Sequence, residues 1–388
     1  MPQALDAARF AEAAEVCAQL TEWLLDHALP LWWELGADHV RGGFHESLRA
    51  DGSATEDPRR ARLHPRQIYA YSVAAQMSWN GPVDIIVRHG VGYFLQHYSR
   101  PDWLFRALVA ADGRPIDDSA VLYDQSFALL GLAAAYDELD DLELRDRARE
   151  LESELHRQLQ HPLAGFEESA SPTQPLLSNS HMHLLEAALV WMNMDHQPRW
   201  QQLAGGIVEL ALSRFLDAAG FMREFFARDW TPAAGEAGRI VEPGHQFEWA
   251  WLLLRWADRS GDRRCRDAGL RLIDLAETHG VDRKRGVAID RIRDDGLVLD
   301  ATARLWPQTE RIKAACIAAE ATQDSQRLVA ATEAAHALLK YLDTPVKGLW
   351  RDLMKADGSF ADTLVPASSL YHIVVAIAEL RHTLARMS

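Results

Sequence analysis

Three histidines and the acids beside them are the residues of this chain best suited to moving protons. His245 and Glu248 stand three apart in Glu242-Pro243-Gly244-His245-Gln246-Phe247-Glu248-Trp249, and His183 and Glu186 repeat the spacing. Residues three apart on a helix lie on one face, one turn from each other, so the carboxylate can orient the imidazole and raise its basicity. His372 is the third candidate. Imidazole changes charge near neutral pH, which suits it to general acid and base work. A single histidine at a helix start is more often a cap or a satisfied core residue, but three in phase with a repeat fit that account poorly. His181 projects about 200° round the helix from His183 and reads as structural.

Further polar and aromatic residues fall in the same stretches: Arg66, Asp124, Asn179, Trp306, Glu310 and Ser368. Each has a plainer reading. Arg66 could serve a salt bridge, Trp306 the core, and Asp124 and Glu310 the positive end of a helix dipole. Clustered His and Glu also raise the question of metal. HExxH is absent, no His-x-His pair shares a helical face, and the three histidines are far apart in sequence, so no local zinc signature exists. GxGxxG and GxxxxGK[ST] are absent too. Neither metal nor cofactor is expected.

The elements that would position these residues follow from a repeat. At intervals of about 60 residues a glycine or aromatic opens a short stretch, as in Gly43-Phe44-His45-Glu46, Trp103-Leu104-Phe105-Arg106, Gly165-Phe166-Glu167-Glu168, Gly220-Phe221-Met222-Arg223-Glu224, Gly286-Val287-Ala288-Ile289-Asp290 and Gly348-Leu349-Trp350-Arg351-Asp352. Hairpin-turn signals recur at Gly52, Gly113, Gly296 and Gly358. Apolar spacing predicts helices over 5–28, 64–79, 83–98, 122–138, 142–159, 179–194, 199–214, 244–259, 263–279, 304–322, 325–342 and 367–386. The last of these is as apolar as the rest, where an open array would need a polar cap. The expected fold is therefore an all-α (α/α)6 barrel, one catalytic domain over 1–388, with short β-hairpins in the connecting loops. Alternate helices would line its inside, and their entries, carrying the residues above, would converge on one mouth.

Composition narrows the function classes. The chain has 388 residues, 48% hydrophobic and 25% charged, with thirteen tryptophans, so a large core is expected. A net charge of −15 argues against nucleic acid and anionic membrane. Cys17, Cys265 and Cys316 are widely spaced and form no CxxC. With no apolar run of membrane length and no leader-like start, the expectation is a cytoplasmic protein, monomer or homodimer.

Asn179-Ser180-His181-Met182-His183-Leu184-Leu185-Glu186-Ala187, Glu242-Pro243-Gly244-His245-Gln246-Phe247-Glu248-Trp249-Ala250-Trp251, Leu305-Trp306-Pro307-Gln308-Thr309-Glu310 and Leu370-Tyr371-His372-Ile373 resemble the N-acylglucosamine 2-epimerase superfamily. That group includes N-acylglucosamine and cellobiose 2-epimerases, mannose isomerases and sulfoquinovose isomerases. The resemblance runs from Arg66 to His372. It implies a barrel acting on a free, ring-opening sugar without metal or redox cofactor, and the strongly acidic chain points to a neutral one. His245 and His372 would be the acid-base pair at C2, His183 would assist ring opening or hold the sugar oxygens, Arg66 would polarise the C1 and C2 oxygens, and Glu248 would orient its histidine. Trp306 and Trp350 would stack on the sugar, with Asn179, Tyr123, Asp124 and Glu310 as further binding residues. The Gly-His-x-x-Glu-Trp-Ala form resembles the mannose isomerases, which implies D-mannose to D-fructose conversion through an enediol, with 2-epimerisation as the alternative. Two other classes remain: an (α/α)6 glycosidase using Asp124 with Glu248 or Glu310, and a non-catalytic helical scaffold.

Overall fold

The computed structural model describes the backbone of residues 2–387 and side chains from residue 7 onward, leaving Met1 and Ser388 outside. All twelve expected segments are helical. The first, α1, runs Pro2–Glu22, passes through a π-helical stretch Trp23–Ala28 and continues as Leu29–Glu34. It is longer than its apolar spacing predicts, because Pro30 sits in the first turn after the π stretch, where a missing N–H costs little. The others are α2 Leu63–Gln76, α3 Val83–Tyr98, α4 Leu122–Leu139, α5 Leu142–Leu159, α6 Ser178–Met194 and α7 Pro198–Leu210, which a π turn extends to Phe215. They continue with α8 Pro243–Ser260, α9 Arg263–His279, α10 Trp306–Thr322, α11 Arg327–Leu342 and α12 Ser369–Met387.

Burial separates two layers. α4 is buried without a break from Asp124 to Ala135, and α10 from Pro307 to Cys316, as helices surrounded by others must be. α9 buries only a stripe, among it Cys265, Gly269, Leu272, Ile273 and Ala276. The even-numbered helices pack each against the next, α2 on α4, then α6, α8, α10 and α12, and α12 returns to α2. α1 lies against α11 and α12 and completes the outer ring. This is the closed (α/α)6 barrel.

Connections out of inner helices are tight: only residues 261–262 separate α8 from α9, with Gly261 at φ 73° ending the helix. Connections into inner helices are long and carry all the strands. The turn glycines Gly52, Gly113, Gly296 and Gly358 have φ of 87°, 83°, 83° and 90°. Hairpins form as expected at Leu108–Val109 with Pro115–Asp117 and at Arg291–Arg293 with Val298–Asp300. Local hairpins are only part of the pairing, however. In four connections the last strand also pairs with the connection that follows: Arg59–Arg60 with Leu108–Val109, Leu176–Leu177 with Phe225–Phe226, Ile240–Val241 with Arg291–Arg293, and Ala303–Arg304 with Leu353–Met354. A bridge from Val121 to Ser169 and the pair Ser47–Leu48 with Val365–Pro366 close a β belt round the mouth.

A buried side chain in five of the inner helices clamps the turn ahead of it. His64 Nδ1, Gln125 Oε1, His181 Nε2, Gln246 Oε1 and Gln308 Oε1 accept from the backbone N–H groups of Phe44, Phe105, Phe166, Met222 and Ala288. Leu370 takes the sixth place. His181 is thus structural, as its projection implied, and burial lowers its pKa to about 4.

Candidate active site

Two residues on either side of each clamp position face the barrel axis, one turn apart. The six pairs are Arg62 and Arg66, Tyr123 and Phe127, Asn179 and His183, Gly244 and Glu248, Trp306 and Glu310, and Ser368 and His372. The deeper members form a continuous ring. The Arg66 guanidinium lies 4.0 Å from the Phe127 ring centre, the Phe127 and His183 rings are 4.4 Å apart, and His183 Nδ1 is 3.7 Å from Glu248 Oε1. Next to it in the ring His372 Nδ1 is hydrogen-bonded to Glu310 Oε1 at 2.8 Å. Every one of these side chains is buried.

His245 enters from the first turn of α8 and lies at this ring's edge. Its ring centre is 5.0 Å from that of Trp306, which is 5.7 Å from that of His372. Trp306 can approach because residue 244 is glycine: a Cβ there would fall 2.4 Å from Trp306 Cη2. The half-exposed indole therefore links the two histidines expected to share the proton chemistry.

Their surroundings push them in opposite directions. Burial lowers the His245 pKa, but the carboxylates of Glu224, 2.9 Å from Nδ1, and Glu242, 3.8 Å away, outweigh it and raise the value to about 9. His372 is held well below its ordinary value by burial and by the charges of Arg66 and Lys313. His183 falls to about 4, chiefly through burial, although Glu186 Oε2 lies 3.2 Å from its Nδ1. Near neutral pH the site holds one imidazolium and two neutral imidazoles.

A carboxylate cluster lies beneath. Glu186 accepts from His183 and from the Tyr371 hydroxyl. Glu310 binds Lys313 Nζ at 2.6 Å. Glu248 Oε1 is buried without a hydrogen-bond partner. Burial, with Glu310 and Glu186 adding like charge, raises Glu248 well above the usual carboxylate range, so it carries a proton. Donor atoms of His183, Glu186 and Glu248, and of Glu248, Glu310 and His372, fall within 4.8 Å of one another, close enough for a cation. In the second group the chain supplies its own, the Lys313 ammonium.

Three expectations change. Glu248 does not orient His245; it turns toward His183, and the partner of His245 is Glu224, from the connection ahead of α8. Glu310 is bound to His372 and Lys313 instead of being left free for a ligand. Trp350 is not at the pocket: it stacks on Trp32 at 4.6 Å in the outer layer and lines a separate cavity of about 440 Å³ with Phe360 and Arg351. Its repeat phase led to the turn ahead of α12, where apolar packing against α1 takes it outward.

The remaining candidates are Arg66 of the deep ring, with Tyr123, Asp124 and Asn179 nearer the helix starts. Arg66 donates to the Tyr123 hydroxyl at 2.7 Å and, among the described residues, has no carboxylate in contact. Asn179 Oδ1 is buried and unpartnered. Asp124 forms a salt bridge to Arg62 at 3.0 Å, and burial raises its pKa. Tied in this way, Asp124 and Glu310 do not make the free carboxylate pair a glycosidase needs. Sequence reasoning missed Glu224, Lys313, Tyr371 and Phe127. The signal for Glu224 was periodic: an acid recurs two residues past the clamped amide at Glu46, Glu168, Glu224 and Asp290.

Known proteins resemble this chain throughout. A protein of Rhizobium meliloti (strain 1021) named mannose-6-phosphate isomerase is 46% identical over 377 residues, 95% of this chain and 97% of its own. The N-acylglucosamine 2-epimerase of Bos taurus is 23% identical over 90% of this chain and 86% of its own. A crystal structure of D-mannose isomerase superposes with a TM-score of 0.86 at 21% identity, covering 94% of this chain and 98% of that one, a likeness of fold. Among the described residues no helix is long and apolar enough to cross a membrane. With the sequence profile of N-acylglucosamine 2-epimerase matching residues 42–376 on this barrel, the chain belongs to the N-acylglucosamine 2-epimerase family of sugar isomerases and epimerases.

Proposed function

We propose that the chain interconverts a free aldose and its ketose, D-mannose and D-fructose first among them, by moving the C2 proton of the open sugar through an enediol. The observation that carries the reading is the pair His245 and His372 against the Trp306 indole, one charged and the other neutral. Neutral His372 takes the C2 hydrogen while the His245 imidazolium gives a proton to O1, and the C2–H electrons form the C1=C2 bond. The O2 hydroxyl proton then returns to His245, the C2 carbonyl forms, and C1 takes the proton from His372. Ring opening removes a proton from O1 and adds one at O5. Neutral His183 beside the protonated Glu248 suits that exchange. Arg66 suits the C1 and C2 oxygens, and Asn179, Tyr123 and Trp306 the remaining sugar surface. Glu224 and Glu310 act through the histidines they hold.

Ketose formation is favoured over epimerisation by the 46% identical relative, which is named an isomerase. That name specifies a phosphorylated sugar, but three arginines near the entrance are already paired, Arg60 with Glu46, Arg62 with Asp124, and Arg304 with Asp290 and Glu242, which leaves Arg66 for the C1 and C2 oxygens. A neutral sugar fits such an entrance better. The reading uses no metal, so activity is expected to survive exhaustive chelation. Three buried free thiols suit a cytoplasmic setting.

Turnover of mannose in deuterium oxide tests the outcome. An isomerase leaves label at C1 of fructose, diluted by internal transfer of the original hydrogen. A 2-epimerase leaves label at C2 of glucose. Mainly C2-labelled glucose, or reaction only of N-acetylated, β-1,4-linked or phosphorylated sugars, would overturn the reading.

A further inference from the structure

We propose that Lys313 is an internal counter-cation beneath the sugar pocket that positions His372 through Glu310. The proposal rests on the reading of His372 as the base at C2. Lysine is rarely buried completely, and a buried ammonium must be paired. Lys313 is fully enclosed on α10, one turn beyond Glu310. Its Nζ lies 2.6 Å from Glu310 Oε2 and 3.8 Å from the centre of the Trp251 ring, so ion pair and cation–π contact hold it from two sides. The second Glu310 oxygen, Oε1, is the atom 2.8 Å from His372 Nδ1. One line of contacts thus runs from the ammonium through the carboxylate to the imidazole.

The proton on that imidazole depends on the carboxylate. Ionised, Glu310 only accepts, so Nδ1 carries the hydrogen and Nε2 keeps its lone pair. Protonated, Glu310 could donate to Nδ1 and leave the hydrogen on Nε2, where the ring could not take one from carbon. Two more buried carboxyls, Glu248 on α8 and Glu186 on α6, share the space round the Lys313 ammonium. Glu186 accepts from His183 and Tyr371, which keep its pKa low, while burial and the like charge of Glu310 and Glu186 raise Glu248 well above the usual carboxylate range. Among the described residues Lys313 is the cation in contact with Glu310. The other charged or titratable groups around His372 are Arg66 on α2, Glu186 on α6, Glu248 and His245 on α8, and Tyr371 beside it on α12.

The test combines Lys313→Met, which removes the charge and keeps an unbranched apolar chain, with nitrogen NMR of the histidine rings and lysine amines in the wild-type protein. The wild-type spectrum should show His372 as the Nδ1–H tautomer and Lys313 as an ammonium through neutral pH. In the variant kcat should fall about 100-fold at neutral pH with KM changed far less. Its acid limb should move up by about one pH unit or more, because the Lys313 charge is one of those that hold His372 low. A packing role would lower activity equally at every pH with the limb in place, and that result overturns the proposal. A neutral Lys313 amine or an Nε2–H tautomer in the wild type overturns it as well, and these two resonances decide the matter if the variant does not fold. A wild-type protein inactive on every free sugar would refute the functional reading but not the spectra, so the two failures stay distinct.

Discussion

Glu224 Oε2 accepts a hydrogen bond from His245 Nδ1 at 2.9 Å, across 21 residues of chain and from a different element. The bond fixes the ring and, with Glu242, keeps His245 charged up to about pH 9. Because the folded pKa is raised, the charged form persists below that value and is lost as pH rises through it. Glu224→Gln removes the largest favourable charge, so the basic limb of kcat should move from near pH 9 toward the ordinary histidine range. A pH profile of kcat checks this. An unmoved basic limb would remove Glu224 from the account.

The two histidines should be separable by pH as well as by mutation. Replacing His245 or His372 with alanine should lower kcat by about 10²–10⁴-fold while circular dichroism and melting stay close to wild type. The folded pKa of His372 is depressed, so the base stays neutral until the pH falls well below 6.5, and the wild-type acid limb should lie there. A variant keeping more than about a tenth of wild-type rate would lose its assignment.

Glu248 is neutral in the folded protein, so Glu248→Gln changes neither its charge nor its shape by much. Melting should shift by only a few degrees, corresponding to about 1 kcal/mol or less. Turnover should fall less than on loss of His245, since ring opening also proceeds in water. Calorimetry and steady-state rates measure both effects. A large loss of stability would show that Glu248 is ionised and paired.

Gly244 keeps a space that Trp306 fills. A Cβ at 2.4 Å cannot coexist with the indole where it stands, so Gly244→Ala should displace Trp306 from between the two histidines. Overpacking of this kind costs about 1–3 kcal/mol, here expected as a KM raised about fivefold or more. Unchanged KM and unchanged tryptophan fluorescence would place the sugar elsewhere.

Much of this was legible in the sequence because helix spacing and repeat phase are local properties. The apolar periods of segments such as 122–138 and 263–279 match α4 and α9 nearly to the residue, and the helix-start motifs carry Arg66, His183, His245, Trp306 and His372 to one mouth. The pairing of His183 with Glu186 was also readable, since both lie on one turn of α6. Contacts between elements were not. Spacing suggested Glu248 for His245, but both histidine and acid on one helix can still aim at different neighbours, and the belt of connections brought Glu224 in instead. Trp350 shared the phase of the site and was drawn into the outer packing by Trp32. The opposite charge states of His245 and His372 are likewise a product of closure: identical imidazoles diverge because the closed barrel sets one beside two carboxylates and the other beside Arg66 and Lys313.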